Sequence, residues 1–162
     1  MSASVSASVT RRRFFGLGAA ALGVAALPLH AEGGPALQVF KDPSCGCCGA
    51  WVEIMEQAGF AASVENVDTD VLWQIKAKVG VSDDLASCHT ALLEGYAVEG
   101  HVPAADLRRL LDERPDDVVG LSVPGMPMGA PGMGPEDARE AYDVIAFLKD
   151  GTTRVWASYA AA

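Results

Sequence analysis

An α/β domain with a central mixed sheet flanked by helices is the architecture that residues 32–162 predict. Strand-length apolar runs alternate with segments of helical period. The stretch is 131 residues long, close to the commonest single-domain size, so one real core can form. The third observation is local: Cys45-Gly46-Cys47-Cys48 follows the first apolar run directly, placing three of the chain's four cysteines at one strand-to-helix turn.

Residues 37–40 form the first strand, after the linker Gly33-Gly34-Pro35 and before the break at Lys41-Asp42-Pro43-Ser44. From about Gly46, Trp51, Ile54, Met55 and Ala58 recur on one helical face, and Gly59 closes that helix. Residues 60–67 read as a second strand. Asp68 or Asp70 then caps a second helix on which Leu72, Ile75 and Val79 share a face, ended by Gly80. Residues 90–93 and 96–99 flank Glu94-Gly95 as a hairpin. Pro103 sits at a first helical position, followed by Leu107, Leu110 and Leu111 on a third helix that stops before Pro115. Residues 142–148 and 153–159 form a closing hairpin around Asp150-Gly151. Between the third helix and that hairpin, residues 122–135 hold four prolines, four glycines and Met126, Met128 and Met133, and read as one long loop without regular structure. Trp51, Trp73 and Trp156 are placed on apolar faces, and Met55 in the core.

Residues 1–31 read as an address. Arg11-Arg12-Arg13-Phe14-Phe15 fits a twin-arginine export pattern, followed by an apolar run from Gly16 to Leu29 and a small residue, Ala31, at the cleavage position. That run is shorter than the ~20 apolar residues a membrane span needs. The expectation is a periplasmic protein exported by the twin-arginine route, with residues 32–162 as its domain and no stable membrane insertion. Removing the leader takes three arginines and no acid, moving the formal charge from −9 to −12. Such a surface argues against nucleic acid or anionic membrane as partners and is compatible with cations.

The cysteine spacing narrows the chemistry. A stapling framework spreads its cysteines to close long loops, whereas here they crowd one turn. Cys45 and Cys48 have C-x-x-C spacing at a helix N-terminus, where backbone N–H groups and the helix dipole favour thiolate. A redox pair would use Cys45 as nucleophile and Cys48 as resolving thiol. Cys47 complicates turnover by offering wrong bridges, and adds a soft donor to a metal site. Cys88 enters the third strand region, where this element order brings it beside the first helix, as a fourth thiolate. His89 and His101, the two histidines left after removal of the leader, lie at element boundaries and suit copper or zinc. Met126, Met128 and Met133 offer thioethers, which select Cu(I) over Zn(II), and can close over a site as a lid. No carboxylate pair, phosphate loop or nucleophile elbow is present. On residues alone, metal binding and thiol–disulfide exchange both stay open, with a structural zinc knob a weaker third.

The stretches Lys41-Asp42-Pro43-Ser44-Cys45-Gly46-Cys47-Cys48, Ser87-Cys88-His89-Thr90, Glu99-Gly100-His101-Val102-Pro103 and Val123-Pro124-Gly125-Met126-Pro127 resemble the CopG-type periplasmic copper-resistance family, over about residues 37–159. The resemblance implies a thioredoxin-like domain binding more than one copper ion, as Cu(I) and with redox cycling as an option, in a cysteine-bridged cluster. It implies Cys45, Cys47, Cys48 and Cys88 as thiolate ligands, with His89, His101, Met126 and Met128 as further candidates, and other periplasmic copper-handling proteins as partners. A C-x-x-C ending the first strand of a strand-helix-strand unit agrees with the thioredoxin-like expectation on its own terms. Where a thioredoxin presents a cis-proline to its cysteines, this chain offers Ser87-Cys88-His89 instead.

Overall fold

The computed structural model describes residues 33–162; the expected signal peptide, with its arginines and His30, lies outside the described residues. Seven strands form one mixed sheet in the order β2-β1-β3-β4-β5-β6-β7. The chain runs β1 (Ala36–Lys41), α1 (Gly46–Gln57), β2 (Ala61–Asn66), α2 (Thr69–Lys78), β3 (His89–Leu93), β4 (Tyr96–Glu99), α3 (Ala104–Glu113), β5 (Val118–Ser122), β6 (Tyr142–Leu148) and β7 (Thr153–Tyr159). Two β-α-β crossovers, through α1 and α3, make β1 parallel to β2 and β4 parallel to β5. The other neighbours pair antiparallel.

Period-2 alternation sets the inner face of β1, where Leu37, Val39 and Lys41 are buried. Against it α1 buries Cys48, Trp51, Val52 and Met55, and α3 buries Leu107 and Leu110. Trp51 is fully enclosed and donates Nε1–H to the Val102 carbonyl at 2.9 Å, which satisfies the one polar atom of a large apolar side chain. The same core continues under the closing hairpin through Leu121, Val144, Ala146 and Trp156.

Three expectations need correction. A seventh strand, β5, occupies residues left unassigned by the sequence reading. Gly120 sits mid-strand at a register shift, which weakens the strand pattern, yet the Ala97 carbonyl and the Phe147 ring fill the space a Cβ would take. Trp73 is not on an apolar face: it is 45 % exposed, because the buried stripe of α2 runs through Leu72 and Lys76 instead. Pro103 is the N-cap of α3 and not its first helical residue. The long expected loop begins one residue later, since Ser122 ends β5; residues 123–135 are a loop, followed by a single helical turn at 136–138.

Candidate metal centre

The turn that presents the first three sulfurs is built by Asp42. Its carboxylate accepts from the Ser44 amide at 2.8 Å and the Ser44 hydroxyl at 2.5 Å, and these bonds hold its pKa below the usual carboxylate value. Cys45 closes the turn by donating its N–H to the Asp42 carbonyl at 3.1 Å and becomes the N-cap of α1, with extended backbone and no side-chain cap. Cys47 and Cys48 therefore lie in the first helical turn, where the amide N–H groups lack helical acceptors. That end of the dipole favours negative sulfur.

Cys88 arrives from the opposite side, immediately before β3. Its Sγ lies 3.4 Å from Cys48 Sγ, and Cys47 Sγ lies 3.5 Å from Cys45 Sγ. All four sulfurs fall within 4.8 Å of one another. Cys45 and Cys48 are joined by a disulfide, while Cys47 and Cys88 are free and half-buried. Burial, and then the nearby Cys47 sulfur, push the Cys88 thiol up to about 12.

A second donor group shares Cys88. The Cys88, His89 and His101 ligand atoms also lie within 4.8 Å of one another. His101 Nε2 is 3.1 Å from Cys88 Sγ, and its Nδ1 lies 2.7 Å from the Pro131 carbonyl. A carbonyl can only accept, so Nδ1 carries the proton and the Nε2 lone pair faces the sulfur, the arrangement usual for a metal-binding imidazole. His89 Nδ1 is 3.5 Å from Cys88 Sγ, while its Nε2 is buried with no hydrogen-bond partner among the described residues. The His89 ring packs on Trp51 at 4.5 Å and meets His101 edge-on at 5.1 Å. Both imidazoles are fully enclosed, and burial lowers both pKa values, that of His89 strongly and with help from His101, Lys76 and Lys41. They are kept neutral, with lone pairs available for a cation other than a proton.

The sulfur and imidazole positions thus converge on Cys88. The loop methionines sit differently: Met126 is 55 % and Met128 43 % exposed. The loop's visible contributions are backbone ones. Besides the Pro131 carbonyl, the Gly125 carbonyl accepts from the Ser87 hydroxyl next to Cys88, and Gly132 packs against Cys47 and Trp51. The sequence reading missed these carbonyls, since any residue can supply one. It also missed Lys76 and Glu99, both buried, though a lysine at i+4 from Leu72 on the apolar stripe of α2 was a signal in plain view.

Crowded soft sulfur beside neutral imidazole is a donor set for Cu(I) or Zn(II), and the disulfide makes it equally capable of thiol exchange. Residues 85–133, which include Cys88, His89, His101 and the methionine loop, match a family described as DUF411, a protein of unknown function. Among curated proteins the chain has no significant match. Two solved structures are similar over most of the domain. One, "Copper resistance protein copG- Form 2", is 40 % identical with a TM-score of 0.71, covering 78 % of this chain and 98 % of that one. The other, Form 1 of the same protein, is 39 % identical with a TM-score of 0.71, covering 77 % and 97 %. Near-complete coverage of these structures at that identity places the chain in the CopG copper-resistance family.

Proposed function

We propose that this chain is a periplasmic copper-binding protein of copper homeostasis, holding more than one Cu(I) in a cysteine-bridged site. The supporting observation is the pair of donor groups that share Cys88: four sulfurs on one side, Cys88 with two neutral imidazoles on the other. Cu(I) needs only two or three soft ligands and carries a single charge, so a shared thiolate can hold neighbouring ions. Cys45, Cys47, Cys48 and Cys88 are the thiolate ligands in this reading, His89 and His101 the nitrogen ligands, and Met126 and Met128 outer thioether ligands from the loop. Imidazole also tolerates Cu(II), which supports cycling between the two oxidation states.

Loading begins with reduction of the disulfide. A dithiol reductant first transfers two electrons to the Cys45–Cys48 bond, and two protons complete two thiols. Each Cu(I) then displaces protons from thiols as it binds, so metal and proton compete. Residues 1–31 act as the export signal and residues 32–162 as a thioredoxin-like domain, a reading supported by the order β2-β1-β3-β4 with β3 the antiparallel member. A route that carries folded chains would let the thiols be metallated before export. Among the described residues, no helix is long and apolar enough to cross a membrane.

Anaerobic Cu(I) titration of the reduced protein tests the proposal. More than one copper per chain is expected; no uptake, or a preference for zinc, overturns it. The Cys45–Cys48 disulfide itself favours a second reading, a thiol–disulfide oxidoreductase. That activity survives Cys47→Ser, whereas the copper site loses a ligand.

A further inference from the structure

The dipeptide Cys88-His89 supplies one thiolate and one imidazole, yet it stands at a strand entry with no helix to hold it. Its two flanking residues meet the same side chain. Glu99, wholly buried at the end of β4, accepts the Ser87 amide N–H on Oε1 at 2.6 Å and the Thr90 hydroxyl on Oε2 at 2.7 Å. Lys76 of α2, 2 % exposed, donates Nζ to Glu99 Oε1 at 2.5 Å and to Thr90 Oγ1 at 3.0 Å. One residue beyond Glu99, the Gly100 amide donates to the His89 carbonyl at 2.9 Å, and His101 follows.

Packing does not explain this arrangement. Desolvating an ammonium and a carboxylate costs several kcal/mol per ion, and apolar residues of similar volume often replace such pairs with no loss or a gain of stability. What an apolar pair cannot do is accept from an amide on one side of Cys88-His89 and from a hydroxyl on the other. We infer that Glu99, backed by Lys76, is a positioning residue that clamps Ser87 and Thr90 and thereby fixes the Cys88 sulfur and the His89 ring for metal. The inference rests on the copper reading for its purpose, while the clamp itself can be tested with and without copper.

The experiment compares wild type with Lys76→Met/Glu99→Leu and Lys76→Met/Glu99→Gln. Both double variants remove the buried charges. Only glutamine keeps an oxygen for the Ser87 amide and an amide group for the Thr90 hydroxyl. Cu(I) affinity of the reduced chains is measured by competition with a chromophoric chelator. The rate of Cys88 alkylation is followed on copper-free protein by peptide mass spectrometry. The leucine variant should lose about 10–100-fold in Cu(I) affinity, the range for residues that orient a ligand, and should alkylate faster at Cys88. The glutamine variant should recover most of both. Affinity and alkylation within threefold of wild type in the leucine variant overturn the clamp. If that variant does not fold, Thr90→Val removes one arm and keeps the ion pair: a smaller loss of affinity with faster Cys88 alkylation supports the clamp, and wild-type values overturn it. A wild-type chain that binds no copper defeats the copper reading instead, and the alkylation rates then decide the clamp alone.

Discussion

The two halves of the sheet bury different things. Around β2-β1-β3-β4 the enclosed side chains include Lys41, Lys76, His89, Thr90, Glu99 and His101 together with Cys48. The half made of β5, β6 and β7 encloses Val118, Leu121, Val144, Ala146, Phe147 and Trp156; Ser122 is the one buried polar side chain on these strands, and Asp106 of α3 accepts from the Tyr159 hydroxyl of β7. Buried polar and charged groups add little net stability, whereas buried hydrocarbon adds about 25 cal/mol per Å². The difference teaches a division of labour: one apolar core, running from Leu37, Trp51 and Leu107 to Leu121 and Trp156, holds up both halves, while the groups fit for chemistry are gathered in the first.

The sharpest way to break that division is to remove a shared ligand. Cys88→Ser takes a sulfur from both donor groups, and Cu(I) affinity should fall by at least about 100-fold, the upper range for losses outside the ligand shell, at nearly unchanged stability. Chelator competition and thermal melting check this. The mirror experiment is Trp156→Ala, in the apolar half. It should cost about 3–5 kcal/mol in urea unfolding and leave copper stoichiometry as it was. A copper defect there, or a large stability defect in Cys88→Ser, would dissolve the distinction between the halves.

How much of this was legible in the sequence follows the same line. Side-chain identity carries the sulfur cluster, because four cysteines announce themselves and the alternation of elements brings Cys88 back to the C-x-C-C turn. The helices and the hairpin at Glu94-Gly95 were readable from period and turn chemistry. Trp73 was misplaced because three apolar positions on α2 look like a core stripe, when Lys76, paired with Glu99, takes the buried place. β5 was hidden by Gly120, whose small size is demanded by the neighbouring strands. Pro131 was invisible as a site residue, since its part is played by a carbonyl.

That carbonyl gives the next prediction. Gly132 has φ +82°, and a Cβ on it would lie 2.8 Å from the Trp51 nitrogen and 2.9 Å from the Cys47 carbonyl oxygen. Gly132→Ala should push the loop outward, detach Pro131 from His101 and weaken Cu(I) binding about tenfold. The expected spectroscopic counterpart is a reduced nitrogen shell around copper. Proton competition provides a gentler probe. Thiols must lose protons to bind metal, while the two imidazoles are already neutral through burial. Affinity should therefore fall about tenfold per pH unit of acidification for each thiol proton displaced. In the copper-free protein the sign reverses: the Cys88 thiol, raised from 9.0 to about 12, resists ionising, so the unfolded chain loses its proton first and stability declines above about pH 9. Denaturant midpoints between pH 7 and 11 measure that decline. The smallest effect should come from the exposed Arg109–Glu113 pair at 2.7 Å, where Glu113→Ala changes stability by about 0.5 kcal/mol or less and copper binding not at all.

Copper K-edge X-ray absorption on the reduced, Cu(I)-loaded protein reaches the central claim most directly. The expected spectrum has a first shell dominated by sulfur with a minor nitrogen component, and a copper–copper scattering path from ions sharing the Cys88 thiolate. A shell of nitrogen and oxygen alone, or isolated copper with no metal neighbour at full loading, would contradict it.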